Sequence, residues 1–207
     1  MKELSNKAVV ISGTPGTGKT TIALELARRL KKLRYVNLSE LALKEGLLKS
    51  HEPERMTFVV DAERVKARIR ELVLSYREGV VIDSHYGELL DDELVEKIIV
   101  LRLHPEELLR RLESRGYPPP KIGENVEAEL IGVCTYNAVS THRSGKVCEL
   151  DVTGKKLDDI VEEAISILKG EKPCRIWVDW TLSVDEALIH KIILLRNTQQ
   201  GPEGERS

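Results

Sequence analysis

The chain has 207 residues, enough for one domain with a sizeable core. Its 34 acidic and 32 basic residues leave a net charge of −2, which excludes a globally basic, nonspecific nucleic-acid binder. Charged residues make up 32% and aromatics 4% of the chain, a balance that points to a surface laced with ion pairs, as in proteins built for high temperature.

No apolar run approaches the roughly 18 residues of a membrane span, and strand residues begin without an apolar signal region. Cys134, Cys148 and Cys174 show no C-x-x-C spacing. The expectation is three buried thiols in a reducing cytoplasm, with neither a disulfide nor a zinc site.

Ala8-Val9-Val10-Ile11 reads as a strand that runs into Gly13-Thr14-Pro15-Gly16-Thr17-Gly18-Lys19-Thr20, of the form G-x-x-x-x-G-K-T, and then into a helix. Glycines such as Gly16 and Gly18 let the backbone turn tightly, so that its N–H groups converge on one anion. The helix behind points its positive end at the same spot. In that context Lys19 reaches the β- and γ-phosphates of a nucleoside triphosphate, and the Thr20 hydroxyl is suited to ligate Mg²⁺. Ile22, Ala23, Leu26, Ala27 and Leu30 form the buried stripe of the helix, leaving Arg28, Arg29, Lys31 and Lys32 outside.

Tyr35-Val36-Asn37 is a short strand, after which Ser39 is expected to cap a helix. Residues 44–57, with Gly46, His51 and Pro53, read as an irregular loop over a second substrate. Asp61 suits the cap of a helix with Val65, Ile69, Leu72 and Val73 on one face, ended by Gly79. Val80-Val81-Ile82 is the buried strand of a parallel sheet, leading into Asp83-Ser84-His85. An acid at that sheet edge, beside a phosphate loop, is where a Mg²⁺-organising aspartate is needed. His85 is either polar loop surface or part of the same site.

Ile98 to Leu101 is a further strand, followed by a helix with Pro105 first and Leu108, Leu109 and Leu112 as its stripe. Arg110, Arg111 and Arg115 gather toward its end. They either complement the helix dipole or clamp a transferring phosphoryl group, and the clamp is expected of Arg111 and Arg115. Gly116 to Asn125, with three prolines, reads as a short stiff flap, and Val126 to about Thr141 as one helix. Val147 to Asp151 is the last strand, and the Lys155 stem in the loop behind it is placed to lie along a nucleotide base.

Gly170 and Pro173 mark a boundary, so residues 1–170 read as one domain and 171–207 as an extension. There Trp177 and Trp180 are candidate anchors. Val184, Ala187, Leu188, Ile192 and Leu195 form a stripe that packs on the parent domain or on a partner, and the chain from about Asn197 reads as a disordered tail. Asp91-Asp92-Glu93 and Asp158-Asp159 with Glu162-Glu163 are either solvated faces or a docking site for a basic partner.

The phosphate loop with Thr21, Tyr35-Val36-Asn37, Asp83-Ser84-His85, Arg111-Leu112-Glu113-Ser114-Arg115-Gly116-Tyr117 and Glu124-Asn125 occur in an order and spacing that resembles the nucleoside monophosphate kinases. More narrowly they resemble the adenylate kinase isoenzyme six type, small adenylate-kinase-like ATPases of small ribosomal subunit maturation. The match runs from residue 8 to about 169. It implies an α/β P-loop NTPase fold, with a parallel five-stranded sheet in the order 2-3-1-4-5 flanked by helices. It also implies a short monophosphate-binding segment at about 37–60 and a short lid at about 114–124.

By the same resemblance, Gly16, Gly18, Lys19, Thr20 and Thr21 hold the phosphates of ATP, Asn37 serves the monophosphate, Arg115 contacts ATP and Lys155 lies near the adenine. Asp83 and His85 mark the Mg²⁺ and water site, and Lys19, Asp83, His85, Arg111 and Arg115 form the catalytic set. The implied activities are ATP + AMP to 2 ADP, and ATP hydrolysis. The implied partner is a basic small-subunit ribosomal protein, with no membrane and with direct RNA contact left open. Two departures stand out: few acidic residues in the monophosphate segment, which bears on the choice of AMP, and a tail longer than the family core requires. The competing readings are an ATP-driven assembly factor with little kinase role, and a small P-loop kinase with another acceptor.

Overall fold

The computed structural model describes residues 5–31, 33–52, 57–143 and 145–198; Lys32, Pro53 and the chain from Gln199 onward lie outside them. In chain order the elements are β1 (Ala8–Gly13), α1 (Lys19–Leu30), β2 (Arg34–Asn37), α2 (Leu38–Lys44), β3 (Leu48–Glu52), β4 (Thr57–Val60), α3 (Ala62–Ser75), β5 (Val80–Asp83), β6 (Val95–Arg102), α4 (Pro105–Ser114), α5 (Pro119–Leu130), α6 (Val133–Thr141), β7 (Val147–Asp151), α7 (Leu157–Lys169) and α8 (Glu186–Arg196).

Five strands pair in the order β2-β5-β1-β6-β7, all parallel. Counting only these strands, that is the expected order 2-3-1-4-5. β1 lies at the centre, and Ala8 to Ile11 are fully buried, as a strand covered on both faces must be. Alternate residues serve opposite faces. Val9 and Ile11 pack with Leu26 of α1, Leu108 of α4, Val126 of α5 and Val161 of α7, whereas Ala8 and Val10 pack with Leu38 of α2, Ile69 of α3 and Ala138 of α6. The arrangement leaves the carboxyl ends of β1, β2 and β5 side by side, with Ile11 and Asn37 both in register with Asp83.

Several expectations from the sequence are corrected. Residues 44–57 are not all irregular: β3 and β4 pair antiparallel in a small separate sheet. The cap of α2 is Asn37, whose Oδ1 accepts from Glu40 N at 2.9 Å, and not Ser39. Most of the segment read as a flap belongs to α5, because Pro119 and Pro120 occupy first-turn positions where a missing N–H costs nothing. Gly123 is then a helix residue, and a Cβ there would stand 2.6 Å from Arg196 N of α8. The helix expected from Val126 to Thr141 is split by Gly132, at φ 69°, into α5 and α6.

The cysteine expectation is also corrected. Cys148 of β7 and Cys174 form a disulfide across 26 residues, while Cys134 is free and half-buried. Nothing in their spacing signals the pairing, which follows from the extension turning back along the sheet edge. There Glu149 N donates to Arg175 O at 2.8 Å. Trp180 is buried and anchors this segment, whereas Trp177 is 60% exposed. Ile192 of α8 is buried in the parent core, and Lys191 reaches out to Glu113 of α4 at 2.9 Å.

Candidate active site

The loop between β1 and α1 is shaped by its glycines. Gly16 adopts φ 98°, and a Cβ there would meet Leu108 Cδ1 at 2.7 Å. Within the loop the Thr14 carbonyl accepts from Thr17 N at 3.2 Å, Thr17 Oγ1 at 2.9 Å and Lys19 Nζ at 3.1 Å. Gly18 supplies the left-handed entry to α1 without any side-chain cap, so the first N–H groups of the helix keep no local acceptor from a cap. The Lys19 ammonium is lowered from its usual pKa by burial, opposed by the nearby Asp83 and Glu129 carboxylates. Thr20 and Thr21 are exposed on the first turn of the helix.

Asp83 is 3% exposed at the end of β5. Its Oδ2 accepts from Thr20 Oγ1 at 2.6 Å, Asn37 Nδ2 at 3.0 Å and Tyr35 Oη at 3.3 Å. The hydroxyl and carboxylate expected to serve Mg²⁺ are therefore adjacent. Hard oxygen donors of this kind suit Mg²⁺, which usually takes only one or two carboxylates together with substrate phosphates. Among the described residues no set of three His, Cys, Asp or Glu is placed to hold a metal alone. Asn37 has both ends engaged, one on Asp83 and one on the α2 backbone.

His85 is half-buried, with its ring centroid 3.8 Å from that of Tyr86. Burial, together with the Lys19 ammonium, pulls its pKa down to about 4, so the imidazole is neutral at neutral pH. It lines a cavity of about 410 Å³ with Thr14, Ser39, Glu88, Lys121 and Asn125. Cys134 also faces this space, and burial pushes its thiol up to about 11, so it is not a reactive thiolate.

A family model described as an AAA domain matches residues 9–132. Relatives named "Putative adenylate kinase" come from Pyrococcus furiosus, 37% identical over 186 residues, covering 87% of this chain and 94% of that one, and from Pyrococcus abyssi, 40% identical with the same coverage. Another, from Methanocaldococcus jannaschii, is 36% identical over 173 residues, covering 84% of this chain and 92% of that one. The chain belongs to the nucleoside monophosphate kinase family. It is thus a phosphotransferase, and membership of a kinase family implies use of ATP.

Solved structures agree on the fold of this kinase and, at their low identity, on no more. A gluconokinase from Sinorhizobium meliloti aligns with TM-score 0.52 and 19% identity, covering 80% of this chain and 93% of that chain. A shikimate kinase from Bacteroides thetaiotaomicron aligns with TM-score 0.50 and 18% identity, covering 79% and 98%.

The arginines of the kinase divide. Arg111 Nη1 donates to Gly16 O at 3.4 Å and Nη2 to Glu107 Oε1 at 2.6 Å, which places it on the rim of the phosphate loop. Glu107 also accepts from Gly154 N at 3.3 Å, bringing the Lys155 loop to the same rim. Lys155 itself pairs with Glu163 at 3.0 Å. Arg115 is exposed at the end of α4 and makes no ion pair among the described residues. Arg110 stays on the surface, 65% exposed.

Most of the acidic groups are spent internally. Asp91 pairs with Lys66 and Arg70, Asp92 with His142, Arg143 and Lys146, and both Asp158 and Glu162 with Arg29. His142 also places Nε2 3.0 Å from Gly87 O, fixing the turn that follows His85.

Sequence reasoning missed a buried polar network behind the phosphate loop of the kinase. Thr14 Oγ1 donates to Glu129 Oε2 at 2.7 Å, and Arg102 links Glu129, at 2.8 Å, to Glu149. A signal was present: Glu129 falls on the stripe of Ile122 and Val126, and Arg102 and Glu149 interrupt apolar strands. Charges at such positions require partners.

No helix is long and apolar enough to cross a membrane among the described residues.

Proposed function

We propose that this kinase transfers the γ-phosphoryl group of ATP to AMP, giving two ADP, and hydrolyses ATP when no monophosphate is bound. The observation that carries this reading is the Thr20–Asp83 pair behind the phosphate loop, with Thr14 and Pro15 of that loop and His85 lining one cavity. Phosphoryl transfer proceeds through a loose transition state, so it needs alignment and charge neutralisation more than covalent help. Lys19, steered by the Thr14 carbonyl, neutralises the β- and γ-oxygens together with the first N–H groups of α1. Thr20 and Asp83 are the residues that would hold Mg²⁺, which when bound adds charge neutralisation on the same oxygens.

Arg111 turns from Glu107 to the transferring group, and Arg115, exposed at the end of α4, joins it on ATP. Lys155 flanks the adenine. The acceptor lies in the cavity, on the side bounded by Ser39 and Val60 of the monophosphate-binding segment about 37–60. With that place empty a water molecule takes it, and the neutral imidazole of His85 orients the water. Residues 1–170 carry the chemistry, with closure falling to the stretch 114–124, and the extension supports them.

The resemblance supports a finer reading, a cytoplasmic role in small ribosomal subunit maturation through a basic ribosomal protein. It competes with an assembly factor whose ATP turnover is the main output. Capture of small-subunit proteins with and without ATP separates these, and capture of none in either condition removes the ribosomal reading.

The kinase reading is tested by ADP release with AMP, CMP, GMP, UMP or no acceptor. AMP is expected to stimulate release most. Lys19→Ala is expected to lower turnover at least about 100-fold with an unchanged circular dichroism spectrum. Retained turnover in that variant removes the phosphate assignment.

A further inference from the structure

We propose that Glu129 is a positioning residue of the phosphate loop, and that the carboxyl-terminal extension acts on the loop through it. The inference rests on the phosphoryl-transfer reading and adds a group that touches neither substrate nor metal.

Thr14 is the hub of the loop. Its carbonyl accepts from Lys19 Nζ and from both donors of Thr17, so the orientation of one peptide sets where the lysine points. Its hydroxyl has one acceptor, Glu129 Oε2 at 2.7 Å, with Thr14 and Glu129 only 2% and 1% exposed. The other carboxylate oxygen, Oε1, accepts from Arg102 Nε at 2.8 Å, Leu103 N at 3.1 Å and Trp180 Nε1 at 3.1 Å. A carboxylate held at both oxygens by buried donors has little freedom to turn, and Thr14 is fixed with it.

The third of those donors comes from the extension. Arg102 continues the route to Glu149, whose Oε2 accepts from Trp177 N and Val178 N at 2.7 Å each, and Val178 O accepts from Arg102 at 3.2 Å. Residues 177–180 are thereby connected to the phosphate loop, Trp180 through a buried hydrogen bond to Glu129 and Trp177 and Val178 through partly buried ones to Glu149 and Arg102.

Stability alone does not call for this arrangement. An apolar side chain on the stripe of Ile122 and Val126 fills the same space without the desolvation of a carboxylate. What a carboxylate adds is a fixed Thr14 before ATP arrives, so that binding does not have to order the loop.

The test uses the full chain. Thr14→Val keeps the volume and removes the hydroxyl, Trp180→Phe keeps a ring and removes the N–H, and Thr14→Ser keeps the hydroxyl. ATP dissociation constants are measured by equilibrium dialysis, with KM and kcat from ADP release and Tm from a thermal scan.

Thr14→Val is expected to weaken ATP binding about tenfold, the scale of one hydrogen bond to a charged group. KM for ATP is expected to follow while KM for the acceptor does not. Trp180→Phe is expected to weaken ATP binding about threefold, and Thr14→Ser to recover most of the affinity. Wild-type affinity in both Thr14→Val and Trp180→Phe, with only a lowered Tm, overturns the inference and leaves the function standing. Should Thr14→Val fail to fold, Trp180→Phe decides alone. Absence of ATP binding by the wild-type chain overturns the function reading, and this inference with it.

Discussion

Replacing Arg102 by methionine measures what holds the interior together behind the phosphate loop. The guanidinium is 3% exposed and donates to Glu129 Oε1, Glu129 O, Glu149 Oε1 and Val178 O. Methionine fills most of the volume and supplies none of these donors. Two buried carboxylates then lose their shared cation, and two carbonyls lose one donor each. A naive sum at roughly 2 kcal/mol per bond to a carboxylate and 1 per bond to a carbonyl is about 6 kcal/mol.

Relief comes from protonation of Glu129, whose pKa burial already raises, and breaking buried pairs typically costs about 3–5 kcal/mol. We expect about 4 kcal/mol. At roughly 2–4 °C per kcal/mol for a chain of this size, Tm falls by about 8–16 °C. Urea denaturation followed by tryptophan fluorescence reads this directly, because Trp180 donates to the same carboxylate. Arg102→Lys should fall between, since an ammonium lacks the fork that serves both carboxylates. A loss below about 1 kcal/mol in Arg102→Met, at an unchanged denaturant slope, refutes the account of the network as tightly coupled.

Three further outcomes are expected. The folded imidazole of His85 sits at about 4, against about 6.5 in the unfolded chain, so between these values only the unfolded chain binds the proton. Its contribution is complete above pH 6.5 and is lost as pH falls toward 4, by about 3 kcal/mol. His85→Gln should flatten that acid limb in denaturation curves, and parallel limbs in both proteins count against it. Reduction of Cys148–Cys174, which are 26 residues apart, should cost about 3.5 kcal/mol, equally by dithiothreitol and by Cys174→Ser; an unchanged midpoint contradicts a formed disulfide. Gly123→Ala gains helix propensity, yet its Cβ would stand 2.6 Å from Arg196 N and 3.0 Å from Ile192 O, so a net loss of about 1–3 kcal/mol is expected. A stabilised Gly123→Ala protein means that α8 does not lie on α5.

Local chemistry made much of the fold legible. β1, the phosphate loop and α1 announce themselves because glycine placement and periodicity are properties of neighbouring residues, and so are Asp61 as a cap and Pro105 at a helix start. The order of the sheet came from a resemblance, since periodicity says nothing of which strand lies beside which. α5 was misread because three prolines suggest a stiff loop, although two of them are ideal first-turn residues. The small sheet of β3 and β4 was hidden by a polar stretch that lacks alternation.

The site divides along the same line. Lys19, Thr20 and Asp83 were legible because each sits at a fixed offset from a motif or a strand end. The partnerships of Thr14, Arg102, Glu129, Glu149 and Trp180 were not, because within the network they span 14 to 115 residues. A buried charge in an apolar stripe is a statement that some distant group must meet it, without saying which. Here three such charges met one another; Glu149 also accepts from backbone N–H groups of the extension, and Glu129 from the Thr14 hydroxyl and the Trp180 indole. The carboxyl-terminal extension therefore has a physical role that its own sequence does not display: it supplies donors that let a carboxylate stand buried behind the phosphate loop.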